Sequence, residues 1–275
     1  MEETKKKNNK KKWIIIIIAV IIAAAALVVF LGKGDSSEPP KEKEYVKEDQ
    51  IGSVFSDPDK FKDKYIKLKG QVFNVEENDG TYSLQVWYDV KNFEKDFIVD
   101  TDQKFEEEDY ISIDGWITGS FTGESAVGGE VTCPRIQAVS AEETNYIDVV
   151  APTAEEKTVN KTSSQYGVDV TIEKIEFAKD ETRVYVKVKN GSKDAINLYA
   201  ASDAKAIQDG KQIGLNEDVY LGDYDELQDE ISAGASDTGI ILFEKMDSDK
   251  PFRLEINAYS DNFDIEFKEF TFEIE

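Results

Sequence analysis

The sequence predicts an all-β body behind a single N-terminal transmembrane helix, the body being a Greek-key barrel followed by an antiparallel β-sandwich. Three observations carry this reading. An uncharged run of 19 residues, Trp13–Leu31, follows six lysines. Beyond it, short stretches of alternating apolar and polar residues recur between Gly, Asn and Asp turn signals, the period-2 pattern of half-buried strands. Finally, 275 residues with 40% hydrophobic and 11% aromatic content suffice for two modest cores.

The N-terminal segment is read first. Lys5, Lys6, Lys7, Lys10, Lys11 and Lys12 make residues 1–12 a basic tail. Residues 13–31 are apolar, and at about 1.5 Å per helical residue they cross about 30 Å of hydrocarbon. Such a segment must satisfy its own backbone hydrogen bonds, so a helix is expected. Lysines next to a span stay cytoplasmic, which predicts a single-pass cell-membrane protein with its N-terminus inside and its bulk extracellular. Trp13 and Leu31 bound the anchor. A cleaved secretory signal is the alternative: Ala24 and Ala26 offer a small-x-small site, but the apolar run continues to Leu31. Residues 32–48, rich in Gly, Ser, Pro and alternating charge, read as a stalk.

The first outer domain is assigned to residues 49–148. Short helical turns are expected near Gln50–Phe55 and Pro58–Phe61. Tyr65–Val75 alternates Ile66, Leu68 and Val72 against Lys67, Lys69 and Gln71. Asp79-Gly80 is a two-residue hairpin signal. Ser83–Tyr88 returns, Phe97–Val99 is a third strand, and after an acidic link come Tyr110–Thr118 and Arg135–Ser140. Gly115 is placed for a bend or bulge. Three strands, a link and two more match a small Greek-key barrel.

Residues 149–165 read as a polar linker, and residues 166–275 as a sandwich. Tyr166–Phe177 and Thr182–Lys189 alternate, the latter with Val184, Val186 and Val188 against Arg183, Tyr185 and Lys187. Weaker strands are expected near Ile196–Tyr199, Ala204–Gln208 and Val219–Leu221. Firmer ones are expected at Thr238–Phe243, Phe252–Tyr259 and Phe263–Ile274.

Composition removes whole classes of chemistry. With no histidine there is no Ser-His-Asp or Cys-His triad and no HExxH zinc site. A lone Cys133 forbids intrachain disulfides and CxxC sites, and is expected to be a small buried hydrophobe. Phosphate loops of the GxxxxGK[ST] and GxGxxG types are missing. Gly123–Val127 begins like a nucleophile elbow but lacks its last glycine.

Two resemblances follow from these segments. Pro58–Val72, with Phe61, Lys64, Ile66, Leu68, Gly70 and Val72 on the patterned positions of A-x-x-Y-x-x-K-x-V-x-V-x-G-x-V, resembles the opening of bacterial tRNA-anticodon-like OB domains. Asp109–Gly115 is similar to that family's D-x-V-x-V-x-G strand. The phrases Val168–Ile172, Glu181–Asn190, Ile231–Glu244 and Phe252–Ile256 resemble Gram-positive extracellular domains of unknown function with a telokin-like immunoglobulin fold. Here Ala233 and Ala235 stand where that family has Pro and Glu. The resemblances imply an OB-like barrel and an immunoglobulin-like sandwich, and no catalytic residue transfers.

Candidate site residues are few. Phe73, Trp87 and Trp116 are the outward aromatics of the barrel and the candidate ligand platform. Nucleic acid is not the expected partner, because residues 51–148 carry 9 basic and 21 acidic side chains, a net of −12. Asp218, Asp223 and Asp225 are the candidate Ca²⁺ ligands in an acidic loop, though the D-x-[DN]-x-[DN]-G signature is absent and a solvated loop is the preferred expectation. Asn160-Lys161-Thr162 and Asn190-Gly191-Ser192 match glycosylation sequons. No cofactor is expected. The function read from the sequence is non-catalytic, extracytoplasmic binding or display with a protein or envelope-component partner. A structural envelope role and a histidine-free hydrolase are the rivals.

Overall fold

The computed structural model describes residues 38–124, 130–220, 222–260 and 262–275. The chain divides into two compact units, the first ending at Asn145 and the second running Tyr146–Glu275.

The expected transmembrane helix is corrected here. Among the described residues no helix is long and apolar enough to cross a membrane. The run Trp13–Leu31 on which the anchor rested lies outside the described residues, as do Gly32–Ser37 of the stalk and Ser125–Val127 of the elbow-like motif. The N-inside, extracellular topology falls with it. What the fold does establish is a mostly β protein.

In the first unit five strands close into a barrel: β1 (Tyr65–Asn78), β2 (Thr81–Asp89), β3 (Glu94–Thr101), β4 (Tyr110–Glu124) and β5 (Glu130–Glu143). Their order is β1-β2-β3-β5-β4, with β1 also pairing β4 and a parallel seam between β3 and β5. Asp79 and Gly80 turn β1 into β2 with φ of 50° and 82°, the left-handed pair that an Asp-Gly hairpin requires. Inward positions, among them Ile66, Leu68, Val72, Val86, Phe97, Val99, Ile113 and Ile136, form one core. A short helix, Ile51–Ser56, contributes Val54 to it, and Phe55 packs against Phe97 and Tyr88.

Closure depends on two inward glycines. A Cβ on Gly70 would lie 2.3 Å from the Trp87 carbonyl oxygen, and one on Gly115 would lie 2.4 Å from that of Gln137. At both points only glycine admits the neighbouring backbone. Gly115 adjoins a register shift in the β4–β5 ladder, the irregularity its sequence position predicts.

Part of the predicted stalk is not a free spacer. Tyr45 bridges Tyr65 in parallel, Val46 N donates to the Tyr65 carbonyl at 2.7 Å, and Tyr65 N donates to the Glu44 carbonyl at 2.8 Å. Residues 44–46 thus satisfy the start of β1 before β2 takes over at Gln71.

The second unit comprises β6 (Glu155–Gln165), β7 (Val168–Phe177), β8 (Glu181–Asn190), β9 (Ile196–Asn197), β10 (Lys205–Gln208), β11 (Lys211–Ile213), β12 (Glu230–Ile231), β13 (Ser236–Glu244), β14 (Phe252–Ile256), β15 (Tyr259–Ser260) and β16 (Phe270–Ile274). One sheet runs β13-β8-β7-β6, a second β11-β10-β14-β16, and a small third β12-β9-β15. Val170, Ile172, Val186 and Val188 of the first sheet share a core with Leu254, Ile256, Phe270 and Phe272 of the second, so the two pack face to face.

Three expectations change. The segment 149–165 is not a linker throughout, because Glu155–Gln165 is an edge strand of polar residues whose lack of an apolar face hides it from the alternation test. Tyr146–Val150 is a short helix belonging to the second unit rather than the first. The strand expected near Val219 is instead a 3-10 turn, Glu217–Tyr220.

Candidate functional site

The outward face of the barrel sheet carries the best-organised surface side chains. Pairing register places Phe73 and Trp87 at one end of it. Phe73 is the extra residue of a bulge, the β1–β2 register shifting between Val72 and Asn74. Alternation from the inward Val72 points Phe73 out of the core, and its ring stacks on Trp87 with centroids 4.1 Å apart and planes at 18°. Phe93 meets the Trp87 ring edge-on at 6.3 Å from the turn before β3, where its φ of 55° is left-handed. Phe73 and Trp87 are both half-buried.

A polar row crosses the same face. Asp100 of β3 is gripped by Arg135 of β5 through two parallel bonds, Nε to Oδ2 at 2.6 Å and Nη2 to Oδ1 at 2.9 Å. This bidentate geometry fixes both side chains. Ser83 of β2 donates to the same Oδ1 at 2.5 Å, and Gln137 Nε2 to the Asp100 carbonyl at 3.1 Å. Glu76 extends the row on β1, opposite Ser83. Burial raises its carboxyl above the ordinary value, and the Arg135 charge partly offsets the rise. Deeper in the face, Gln85 and Ile98 are buried, and Cys133 lies against Asp96. Burial first, then the neighbouring carboxylate, pushes the Cys133 thiol well up, so it is a thiol and not a thiolate.

The structure therefore brings Phe73 and Trp87 together, and it separates Trp116 from them. Trp116 points outward from β4 as the pattern requires, but it is buried, its ring 6.1 Å from that of Tyr65.

The acidic loop holds the three candidate Ca²⁺ ligands Asp218, Asp223 and Asp225. Asp218 is half-buried, while Asp223 and Asp225 are exposed. Among the described residues no group of three or more acidic, Cys or His side chains is arranged to hold a metal ion. The loop serves as an edge cover instead: the Asp225 carbonyl accepts the Ile240 amide at 2.8 Å, Glu226 bridges Ile240 in parallel, and Asp237 Oδ2 accepts the Gln228 amide at 2.7 Å. Gly239 permits this approach, since a Cβ there would fall 2.1 Å from the Leu227 amide nitrogen.

A buried ionic network lies where alternation gives no sign of one. Arg183 alternates with valines on β8 and points to the face that alternation predicts to be polar. That face is covered, however, and Arg183 is fully buried. Its guanidinium donates to Glu176 Oε2 at 3.0 Å, Glu181 Oε1 at 2.5 Å, the Ala151 carbonyl at 2.8 Å and Thr153 Oγ1 at 2.7 Å. Tyr224 donates to both oxygens of Glu181, at 3.0 and 2.8 Å, and its ring meets Tyr146 edge-on at 5.2 Å. Burial pushes the Tyr146 and Tyr185 hydroxyls up to about 12, with nearby carboxylates adding to the rise. Among the described residues no buried side-chain polar atom lacks a partner. Such completeness marks a structural clasp that holds residues 146–153 and the Tyr224 loop to the sheet.

One sequon is closed by the fold. Asn190 is fully buried, its Nδ2 donating to the carbonyls of Asp194 and Ile231 at 2.9 Å each while its Oδ1 accepts from Ser192.

No protein family matches the sequence, and no curated protein does. Three solved structures are similar in part. A functionally unknown protein from Listeria monocytogenes is 10% identical, with 42% of this chain and 91% of that one covered at a TM-score of 0.34. A conserved hypothetical protein from Bacillus anthracis is 14% identical over 40% and 96%, at 0.29. A conserved domain protein from Bacillus anthracis is 10% identical over 70% and 78%, at 0.33. These likenesses are to bacterial proteins of unknown function and assign no activity.

Proposed function

We propose that this is a non-catalytic binding protein whose barrel recognises a polypeptide partner through the outward face bearing Phe73, Trp87 and the Glu76–Arg135 row. The Phe73–Trp87 stack carries the reading: two large aromatics stacked on the outside of a small barrel present apolar surface that its core does not use. Beside it lie paired charges and amides suited to backbone and side-chain hydrogen bonds. The strand order with its parallel β3–β5 seam supports an OB-type reading of the first unit. The two facing sheets support an immunoglobulin-like reading of the second.

Several features argue against catalysis. The chain has no histidine. Its one thiol is buried and held protonated. The buried carboxylates Glu176 and Glu181 are committed to Arg183. The acidic balance of residues 51–148 disfavours phosphate backbones.

The test is comparative capture. The full chain and a Phe73→Ser/Trp87→Ser variant, matched for fold by circular dichroism, are used as bait in cell extract. A species recovered by the parent and depleted with the variant supports the reading, and identical recovery contradicts it.

A further inference from the structure

Two tyrosine pairs in this molecule have nearly the same geometry, and one of them already holds a cation. In the first unit, the Tyr45 and Tyr65 ring centroids lie 5.7 Å apart with planes at 52°. The Lys43 ammonium stands 5.3 Å from the Tyr45 centroid and 5.0 Å from that of Tyr65. Lys67 approaches Tyr45 to 5.6 Å. Asp114 completes the group, accepting the Tyr45 hydroxyl at 2.8 Å and lying 3.8 Å from both ammonium groups. Electron-rich ring faces together with a carboxylate suit an alkylammonium ion.

The second unit repeats the arrangement. Tyr199 and Tyr259 have centroids 6.0 Å apart and planes at 53°. The Tyr259 hydroxyl donates to Asp203 Oδ2 at 2.6 Å, and Asn257 Nδ2 donates to the same oxygen at 3.0 Å. Tyr259 sits on β15 opposite Asn197 of β9. Tyr199 follows β9 by two residues, and Asp203 ends the short helix Ala200–Asp203. Tyr199 adopts a left-handed backbone (φ 48°, ψ 36°), which is costly for a bulky side chain. Tyr199 is 44% exposed and Tyr259 48% exposed, so the pair is not core packing. The Asp203 hydrogen bond, followed by burial and then by the Asp203 and Glu269 charges, raises the Tyr259 hydroxyl. The charges acting on it are thus anionic, and neighbouring Lys205 is paired to Glu269 at 3.3 Å.

We propose that Tyr199, Tyr259 and Asp203 form a binding site for an alkylammonium group, the counterpart in the second unit of the cradle that holds Lys43. A lysine side chain of a partner and a small free amine share this chemistry. The chain's net charge of −24 favours the approach of either. The site is independent of the barrel face and stands or falls apart from it.

The test uses the full chain with ring-labelled tyrosines, observed by NMR. It is titrated in parallel with n-butylammonium chloride, with Nα-acetyl-lysine methylamide and with sodium chloride at matched ionic strength. Saturable millimolar shifts at Tyr199 and Tyr259 are expected with an amine and not with sodium. Asp203→Asn keeps an acceptor for the Tyr259 hydroxyl while removing the charge, and should weaken binding about tenfold. Tyr199→Leu should abolish it. Saturation by both amines supports the site with the ammonium alone sufficient, and saturation by the lysine derivative alone supports it with a polypeptide as the source. Shifts that merely match the sodium control, or binding unchanged by Asp203→Asn with the core resonances intact, would overturn it.

Discussion

Arg183 and Glu176 are joined across neighbouring strands where water does not reach: Arg183 Nε donates to Glu176 Oε2 at 3.0 Å, and the arginine side chain is fully buried. Glu181 takes the other arm of the same guanidinium. One cation therefore neutralises two buried carboxylates, with Lys174 adding a second positive charge at Glu176. Removing the arginine while leaving the acids strands uncompensated charge, and that is the costly direction. Arg183→Met should destabilise the second unit by about 3–5 kcal/mol. Hydrogen exchange at β7 and β8 amides, which reports that unit separately from the barrel, measures it.

The same cluster sets an acid response. Burial alone would raise the Glu176 carboxyl, but hydrogen bonds from Lys174, Thr153, Tyr185 and Arg183 together outweigh it and hold the group below its ordinary 4.5. A carboxylate depressed on folding contributes stability that is present above its unfolded value and lost as pH falls through the folded one. The second unit should therefore lose stability progressively below about pH 4.5. Glu176→Gln should flatten this slope while lowering stability at neutral pH. Chemical denaturation across a pH series provides the comparison.

The two outward tryptophans of the barrel should separate cleanly. Trp116 is buried with its ring against Tyr65, and its replacement by alanine should cost about 3–5 kcal/mol. Trp87 is half-buried in a stack, and Trp87→Ala should cost about 1 kcal/mol. Denaturant midpoints of the first unit test the contrast.

Gly70→Ala should be damaging because this inward position has no room for a side chain. Its Cβ would meet the Trp87 carbonyl at 2.3 Å and Val86 Cγ1 at 2.6 Å. Strained closure should cost about 1–3 kcal/mol, whereas Gly52→Ala, with open space around it, should be near neutral. A paired thermal melt distinguishes them.

What the sequence made legible were the segments with an apolar stripe. Tyr65–Val75, Tyr110–Thr118 and Thr182–Lys189 lie within observed strands because alternation records burial on one face. The strand Glu155–Gln165 left no such record, being an edge with polar residues on both sides. Arg183 was read on the correct face, but alternation cannot say that Ala151, Thr153 and Tyr224 cover that face. Phe73 and Trp87 are legible as outward aromatics but their stacking is not, because alternation gives the face of a side chain and not its neighbour across the ladder. Trp116 meets the same outward criterion and is nevertheless buried, since tertiary packing, not strand phase, decides exposure.

The central claim is that the barrel face bearing Phe73 and Trp87 engages a partner. Hydrogen exchange of the full chain, with and without the partner recovered by capture, addresses it most directly. The account predicts added protection in residues 73–76 and 83–87, together with quenched exchange near Arg135. Protection confined to other segments, with these unchanged, would contradict it.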